Sequence, residues 1–180
     1  VSKLADIIRE AFYIAQEGRP GPVLIDVPKD ITVEETEYEY RKPLPVMHKS
    51  DRFTAGDIEK AAQMIRESKK PFIFIGGGVI RARASEELKK FAAAVQAPVG
   101  SSLMGIGGFP AADELFTGMI GMHGSKVSNM AVSQCDLLIV VGARFSDRVV
   151  SRADRFAVDA KILHIDVDPA EINKNIRTHH

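Results

Sequence analysis

The sequence predicts an α/β protein built on a doubly wound parallel sheet with helices on both faces. Two observations support this prediction. Short, continuously apolar runs such as Pro71–Ile75 and Asp136–Val141 are typical of strands that are buried on both faces. Segments with apolar residues at every third or fourth position separate these runs, and they indicate helices between parallel strands.

The first 30 residues predict a helix, a tight turn and a strand. Apolar residues recur at helical spacing over Leu4–Ala15, and Gly18 and Pro20 follow as stop signals. The β-branched run Pro22–Val27, closed by Pro28, then predicts a buried strand.

Residues 31–50 differ in composition and predict an interdomain linker. Acidic residues dominate 34–39, the run Arg41–Pro45 contains two prolines, and no helical or strand period persists. An ordinary long surface loop is the alternative, although loops of this length are uncommon within compact domains. We therefore expect three segments: 1–30, 31–50 and 51–180.

The third segment begins with a helix, a strand and a glycine turn. Thr54 followed by Asp57 matches a capping-box-like helix start, and an apolar stripe follows. The strand Pro71–Ile75 runs directly into Gly76–Gly78, and the next helix covers Leu88–Val95. Strand, glycine turn and helix together are typical of half of a mononucleotide-binding fold.

Three further strands complete the predicted sheet. They are Ala97–Gly100, Asp136–Val141 and Lys161–Val167. Because they are apolar and separated by helices, we expect them to be parallel to Pro71–Ile75.

The composition excludes several classes of partner. The chain has 24 basic and 24 acidic residues, so no charge excess would attract nucleic acid or an anionic membrane. No apolar run approaches the roughly 18 to 20 residues of a membrane helix, and the N-terminus lacks the pattern of a signal peptide. The single cysteine, Cys135, predicts a packed thiol in a reducing compartment, and we expect the protein to be cytoplasmic.

Candidate binding residues follow the predicted strands. In an open parallel sheet, ligands bind beyond the carboxyl ends of the strands. Gly76–Gly78, Ser101–Gly105, Gly142–Arg144 and Asp166–Asp168 all fall there. The glycines allow two interpretations, close approach of backbone to a pyrophosphate or a tight strand-to-helix turn.

The dinucleotide-binding fingerprint is incomplete, which argues against simple NAD binding. Arg81 stands where the motif that begins at Gly76 requires glycine or alanine. Asp166 could accept a hydrogen bond from a nucleotide hydroxyl, with Arg144 and Arg148 as partners for anionic groups. Helix capping is the alternative for the aspartates, and it suits Asp168 better than Asp166.

Two glycine-rich segments, Gly105–Pro110 and Gly118–Gly124, lack strand or helix period and predict loops that cover a ligand. Their neighbouring methionines could pack on an aromatic ring, but gap-filling in the core is the commoner role. His123 could donate to a ligand or serve a structural hydrogen bond. We find no zinc spacing, P-loop, nucleophile elbow or carboxylate dyad, so no catalytic or metal-binding residue is predicted.

Five segments in collinear order resemble the catalytic (large) subunit of acetolactate synthase, also called acetohydroxyacid synthase. The resemblance places Val1–Asp30 at the end of the pyrimidine-binding domain of that family and the remainder in its central domain. That central domain has a DHS-like nucleotide-binding fold. We expect its last element to be missing from this sequence. The segments are Gly18–Asp30, Ser102–Gly107, Gly121–Gly124, Gly142–Val149 and His164–Ile172.

The resemblance implies that the central domain binds FAD without a net redox role. The family commonly has an acidic residue where this chain has Ser146, so a contact at that position is not carried over. The residues that match the flavin-binding motifs are Arg19, Gly76, Gly77, Gly78, Ser102, Leu103, Ile120, Gly121, Met122, His123, Gly142, Arg144, Asp147, Arg148, Asp166 and Val167.

The resemblance also implies the reaction of the whole enzyme. Pyruvate is decarboxylated on thiamine diphosphate with Mg²⁺, and the two-carbon unit is transferred to a second 2-oxo acid, pyruvate or 2-oxobutyrate, in branched-chain amino-acid biosynthesis. The glutamate that activates thiamine and the motif that holds magnesium are absent from these 180 residues, so we expect this chain alone to be inactive. The full enzyme is expected to be a homo-oligomer, a dimer or tetramer, that could bind a regulatory subunit.

Two alternatives stay open at the level of sequence. A non-catalytic nucleotide-binding module, such as half of an electron-transfer flavoprotein, would also explain the sheet and its glycines. A related thiamine-diphosphate enzyme without flavin would explain the five motifs.

Overall fold

A computed structural model describes residues 1–43 and 53–180. The chain divides into two compact units, Val1–Arg52 and Phe53–His180. The helices are α1 (Leu4–Gln16), α2 (Ala55–Glu67), α3 (Gly77–Arg81), α4 (Ser85–Val95), α5 (Lys126–Gln134) and α6 (Asp147–Val150). The strands are β1 (Pro71–Ile75), β2 (Val99–Ser101), β3 (Phe116–Met119), β4 (Leu137–Val141) and β5 (Lys161–Ile165).

In the first unit, the predicted helix is confirmed as α1 but the predicted strand is wrong. Pro22–Val27 has no regular secondary structure, and Leu24 is 92% exposed. A strand requires a neighbour for its backbone hydrogen bonds, and no described residue pairs with this segment. The segment is therefore not part of a sheet.

The predicted linker is described in part. Ile31–Val33 forms a single 3₁₀ turn, in which the Asp30 carboxylate accepts a hydrogen bond from the Ile31 N–H. Residues 34–43 have no regular secondary structure, and the remainder of the predicted linker, 44–50, lies outside the described residues.

The second unit contains a five-stranded sheet in the order β3-β2-β1-β4-β5, and every pairing is parallel. Side chains of β1 alternate between two cores, with Phe72 and Phe74 in one and Ile73 and Ile75 in the other. Residues of α2, α3 and α4 belong to the second core, and residues of α5 and α6 belong to the first. Helices thus cover both faces, and the predicted fold class is confirmed.

The capping box predicted at the start of α2 is confirmed. The Thr54 hydroxyl accepts a hydrogen bond from the Asp57 N–H at 3.2 Å, and the Asp57 carboxylate accepts from the Thr54 N–H at 2.7 Å. These reciprocal bonds satisfy two backbone N–H groups that a helix start leaves unpaired.

Two strands, β4 and β5, are shorter than predicted, because the backbone pairing of each ends earlier. β5 stops at Ile165 because its partner β4 stops at Val141, so Val167 is not part of the strand. β4 starts at Leu137 because the Asp136 carboxylate accepts hydrogen bonds from the Ser68 hydroxyl and from two backbone N–H groups before β1.

Four elements were not predicted at their positions: the helices α3, α5 and α6 and the strand β3. The glycines of α3 are poor helix formers, so its sequence indicates a turn. The second half of β3, Gly118 and Met119, lies in the predicted loop Gly118–Gly124, and Gly118 has φ +100. Its pairing with β2 is irregular between Val99 and Gly100, which removes the alternation that would identify a strand.

The last residues lie along the free edge of β5. The His164 N–H donates to the His180 carbonyl at 2.9 Å, and the His180 N–H donates to the Ile162 carbonyl at 3.2 Å. This is the hydrogen-bond pattern of parallel pairing.

Cys135 is buried at the end of α5, as predicted for a packed thiol. Its sulfur donates to the Val132 carbonyl at 3.2 Å, and burial raises the pKa of the Cys135 thiol to about 11. The thiolate is the reactive form, and it is scarce in such a site at ordinary pH.

We expect the native chain to resist modification by a thiol reagent such as Ellman's reagent at pH 8. After unfolding in guanidinium, one thiol per chain should react, since Cys135 is the single cysteine. Ser133→Cys, which adds a thiol at an exposed position two residues earlier, should react in the native state and serves as the control. Rapid native labelling of Cys135 would contradict its burial.

Candidate functional site

The carboxyl ends of all five strands carry predicted binding residues. Because the strands are parallel, the loops that follow them lie along one edge of the sheet, called here the carboxyl edge. Every predicted residue of the second unit is on one of these loops, whereas Arg19 belongs to the first unit. After β1 lie Gly76–Gly78; after β2, Ser102 and Leu103; after β3, Ile120–His123; after β4, Gly142, Arg144, Asp147 and Arg148; and after β5, Asp166 and Val167.

The strand order reverses between β1 and β4, which makes this the topological switch point of the sheet. The chain leaves β1 towards β2 and β3 and then returns to β4 on the opposite side of β1. In sheets of this kind, ligands bind beside the switch point.

The glycines at the switch point are required for contact between protein backbones. The Gly78 N–H donates to the Gly142 carbonyl at 3.0 Å. A Cβ on Gly76 would lie 2.2 Å from the Gly142 oxygen, and one on Gly78 would lie 2.6 Å from the Gly142 Cα. Of the two interpretations of this turn, tight packing therefore accounts for Gly76 and Gly78.

The middle glycine faces a different neighbour. A Cβ on Gly77 would lie 3.2 Å from the Met104 carbonyl oxygen, in the loop after β2. That loop is itself joined to β1, because the Ser102 N–H donates to the Ile75 carbonyl at 2.8 Å. The loops after β1, β2 and β4 are thus held together by backbone contacts.

The chain after β4 crosses the edge and reaches the loop after β3. The Met122 N–H donates to the Arg148 carbonyl at 2.9 Å, and a Cβ on Gly121 would lie 2.3 Å from the same oxygen. Two strands separate β3 from β4 in the sheet, yet α6 lies beside Gly121 and Met122. The fold brings two groups of predicted residues into direct contact.

Large apolar side chains on these loops are exposed. Leu103 is 70% exposed, Met122 61% and Val167 58%. Met104 and Ile106, also on the loop after β2, are exposed as well. Apolar side chains concentrated at one edge mark a surface suited to a ligand or a partner.

The cationic side chains at the edge are available for an anion. Arg144 is exposed and has no ion-pair partner among the described residues. Arg148 is exposed and contacts Asp147 at 3.7 Å, a distance too long for a strong ion pair. The site therefore combines exposed apolar and basic groups.

The two aspartates after β5 both accept backbone hydrogen bonds. The Asp166 side chain is only 8% exposed, and its Oδ1 accepts the Asp168 N–H at 2.9 Å, which leaves Oδ2 for another donor. Asp168 accepts the Ala170 N–H at 3.0 Å, but turns follow rather than a helix. Asp168 caps a turn, so the expectation of a helix cap is wrong.

His164 is a buried residue of this site that sequence reasoning did not single out. Its Nε2 lies 2.9 Å from the Ala143 carbonyl oxygen, so geometry assigns the proton to Nε2. The Phe145 ring packs edge to face against it at 5.3 Å between centroids. Nδ1 has no hydrogen-bond partner among the described residues. His164 joins β5 to the loop after β4 from below the exposed surface.

Burial lowers the pKa of His164, although the Ala143 carbonyl and Asp166 oppose this effect. The ring is therefore neutral in the folded chain at neutral pH. Within the described residues, no group of three His, Cys, Asp or Glu side chains could hold a metal ion, and no helix is long and apolar enough to span a membrane.

These features define an α/β domain with a parallel sheet and an exposed carboxyl edge, and comparison with known proteins identifies its family. Residues 58–180 match the family model described as thiamine pyrophosphate enzyme, central domain. The chain belongs to this family. The family match argues against the electron-transfer flavoprotein alternative.

The relatives confirm the predicted resemblance. The chain is 47% identical to the acetolactate synthase large subunit of Cyanidium caldarium over 96% of its length, and this match covers 30% of that subunit. It is 43% identical to the large subunit of Haemophilus influenzae, with 98% and 32% covered. The chain thus spans about a third of the length of these relatives.

A solved structure shares the fold. It is that of a candidate thiamin diphosphate-dependent enzyme from Mycobacterium smegmatis, with a TM-score of 0.70 and 26% identity. The match covers 94% of this chain and 33% of that one.

We expect His164 to make stability depend on pH. Because the folded chain holds the neutral ring, protonation favours the unfolded chain as pH falls below the ordinary value of 6.5. The free energy of unfolding should then fall by up to about 1.4 kcal/mol per pH unit. His164→Gln, which does not titrate, should flatten this part of the curve.

Melting temperatures between pH 8 and pH 5 measure this effect. His123→Gln removes an exposed histidine from the same edge and provides the matched control. Parallel curves for wild type and His164→Gln would show that His164 contributes no such pH dependence.

Proposed function

We propose that this chain is the flavin-binding central part of an acetolactate synthase large subunit, a thiamine-diphosphate-dependent transferase. The whole enzyme would condense pyruvate, after decarboxylation, with pyruvate or 2-oxobutyrate in branched-chain amino-acid biosynthesis. The identity of 43 to 47% to acetolactate synthase large subunits over nearly the entire chain is the observation that supports this function best.

The described residues of the carboxyl edge fit a flavin nucleotide. Exposed Leu103, Met122 and Val167 suit the apolar parts of such a ligand, and Arg144 and Arg148 suit its diphosphate. Flavin bound there would contribute structure rather than net redox chemistry, as the family resemblance implies.

The structure also limits how flavin could be held. The loop after β4 occupies the space where a Cβ on Gly76 or Gly78 would lie, so both positions require glycine for this backbone contact. Asp166 has one carboxylate oxygen left for a nucleotide hydroxyl. The other residues that match the family's flavin motifs, including Arg19, are proposed contacts on the resemblance alone.

The domain assignment is part of the proposal. Val1–Asp30 would end the pyrimidine-binding domain, 31–50 would link it to the next, and 51–180 would form most of the central domain. Thiamine diphosphate and Mg²⁺ would bind elsewhere in the full-length subunit, which would assemble into a homo-oligomer and could bind a regulatory subunit. The cytoplasmic location stays a prediction from the sequence.

We expect Arg144→Ala to weaken FAD binding in the full-length subunit by about one to two powers of ten, because a charge-assisted hydrogen bond contributes roughly 1.5 to 3 kcal/mol. Titration of FAD into the flavin-stripped subunit measures the affinity, and a melting curve measures stability. Arg66→Ala, which removes an exposed arginine paired with Glu59 just before β1, is the matched control.

Unchanged affinity together with a lowered melting temperature would assign Arg144 a structural role instead. A wild-type subunit that binds no FAD would support the alternative of a flavin-free thiamine-diphosphate enzyme.

We also expect the 180 residues alone to form no acetolactate from pyruvate when thiamine diphosphate and Mg²⁺ are supplied. The reason is that neither thiamine motif of the family occurs in them. The full-length subunit, assayed in parallel, controls for the reagents. Acetolactate formed by the purified chain would contradict this part of the proposal.

A further inference from the structure

Asn129, on α5, holds the backbone of Gly121 with both atoms of its side-chain amide. Its Oδ1 accepts the Gly121 N–H at 2.9 Å, and its Nδ2 donates to the Gly121 carbonyl at 3.0 Å. Since one amide atom is a donor and the other an acceptor, this pairing fixes the orientation of the side chain.

Gly121, the residue that Asn129 holds, has no room for a side chain. Gly121 has φ +101, and an added Cβ would lie 2.3 Å from the Arg148 carbonyl oxygen. The next N–H, of Met122, donates to that same carbonyl at 2.9 Å. The loop after β3 is therefore held between the Asn129 amide on one element and the Arg148 carbonyl on another.

Packing contributes little on the neighbouring side of this loop. A cavity of about 300 Å³ opens beside Asn129, and Ile120, Val132 and Val149 are among its lining residues. Met122 and His123, which follow Gly121, are exposed. Ile120 anchors the start of the loop in the core, and hydrogen bonds hold Gly121 and Met122 beyond it.

We infer that Asn129 is a positioning residue for the proposed flavin site. Asn129 fixes the position of the Gly121–His123 loop. Through the Arg148 carbonyl, it thereby also fixes how this loop lies against α6. Asn129 does not contact the ligand itself. This inference rests on the proposed function, because the loop and Arg148 are the proposed flavin contacts that Asn129 brings together.

The test uses the flavin-stripped full-length subunit in four forms: wild type, Asn129→Ala, Asn129→Asp and Ser133→Ala. FAD affinity is measured by titration, and exchange of the Gly121 and Met122 amide hydrogens is measured without flavin. Ser133 lies one turn further on α5, and its hydroxyl donates to the Asn129 backbone carbonyl at 3.0 Å rather than to the loop, which makes its alanine variant the matched control.

Loss of both hydrogen bonds in Asn129→Ala should weaken FAD binding about tenfold or more and accelerate exchange at both amides. Asn129→Asp keeps an acceptor for the Gly121 N–H but turns a second acceptor towards the Gly121 carbonyl. It should retain the fold and also bind FAD more weakly than wild type. Ser133→Ala should match wild type in both measurements.

Two results would overturn the inference. Exchange that is unchanged in Asn129→Ala would show that the amide does not order the loop, and faster exchange with FAD affinity within twofold of wild type would show that the order is irrelevant to binding. If wild type itself binds no FAD, the proposed function fails first. In that case, faster amide exchange in Asn129→Ala would still support a role for Asn129 in ordering the loop. Unchanged exchange would contradict that role as well.

Discussion

Backbone contact between the loops after β1 and β4 constrains the entire carboxyl edge of the sheet. Gly76 and Gly78 leave no room for a Cβ because the Gly142 backbone occupies that space, and Gly142 itself has φ +56. Glycine is the residue that combines a positive φ with such close approach. The contact therefore fixes the positions of these two loops relative to each other.

Buried and half-buried polar groups set the geometry of the edge, whereas exposed groups are left for binding. His164 and Asn129 each bond backbone atoms of a neighbouring loop, at Ala143 and Gly121 respectively. Both are neutral donors, and a neutral group costs less to bury than a charge does. Arg144 and Met122 remain at the surface as a result of this arrangement. Such a division suits a domain that holds a cofactor in place.

Exposed apolar residues of the first unit support the proposal that the chain functions within a longer subunit. Phe12 is 67% exposed on α1, and Leu24 is exposed in the segment that forms no strand. In an intact pyrimidine-binding domain, this segment would have neighbouring strands and this helix a sheet to cover. The second unit does not need such neighbours for its core, because both faces of its sheet are already covered.

Sequence by itself determined the elements that depend on local pattern: α1, the capping box of α2, the apolar strands β1, β4 and β5, and the motifs that indicated the family. Tertiary structure decided the rest. The irregular edge strand β3, the glycine-containing helix α3 and the lost strand at Pro22–Val27 all depend on whether a partner is present. Likewise, the roles of Gly78, Asn129 and His164 depend on backbone atoms of other loops, and such contacts leave no local period to detect.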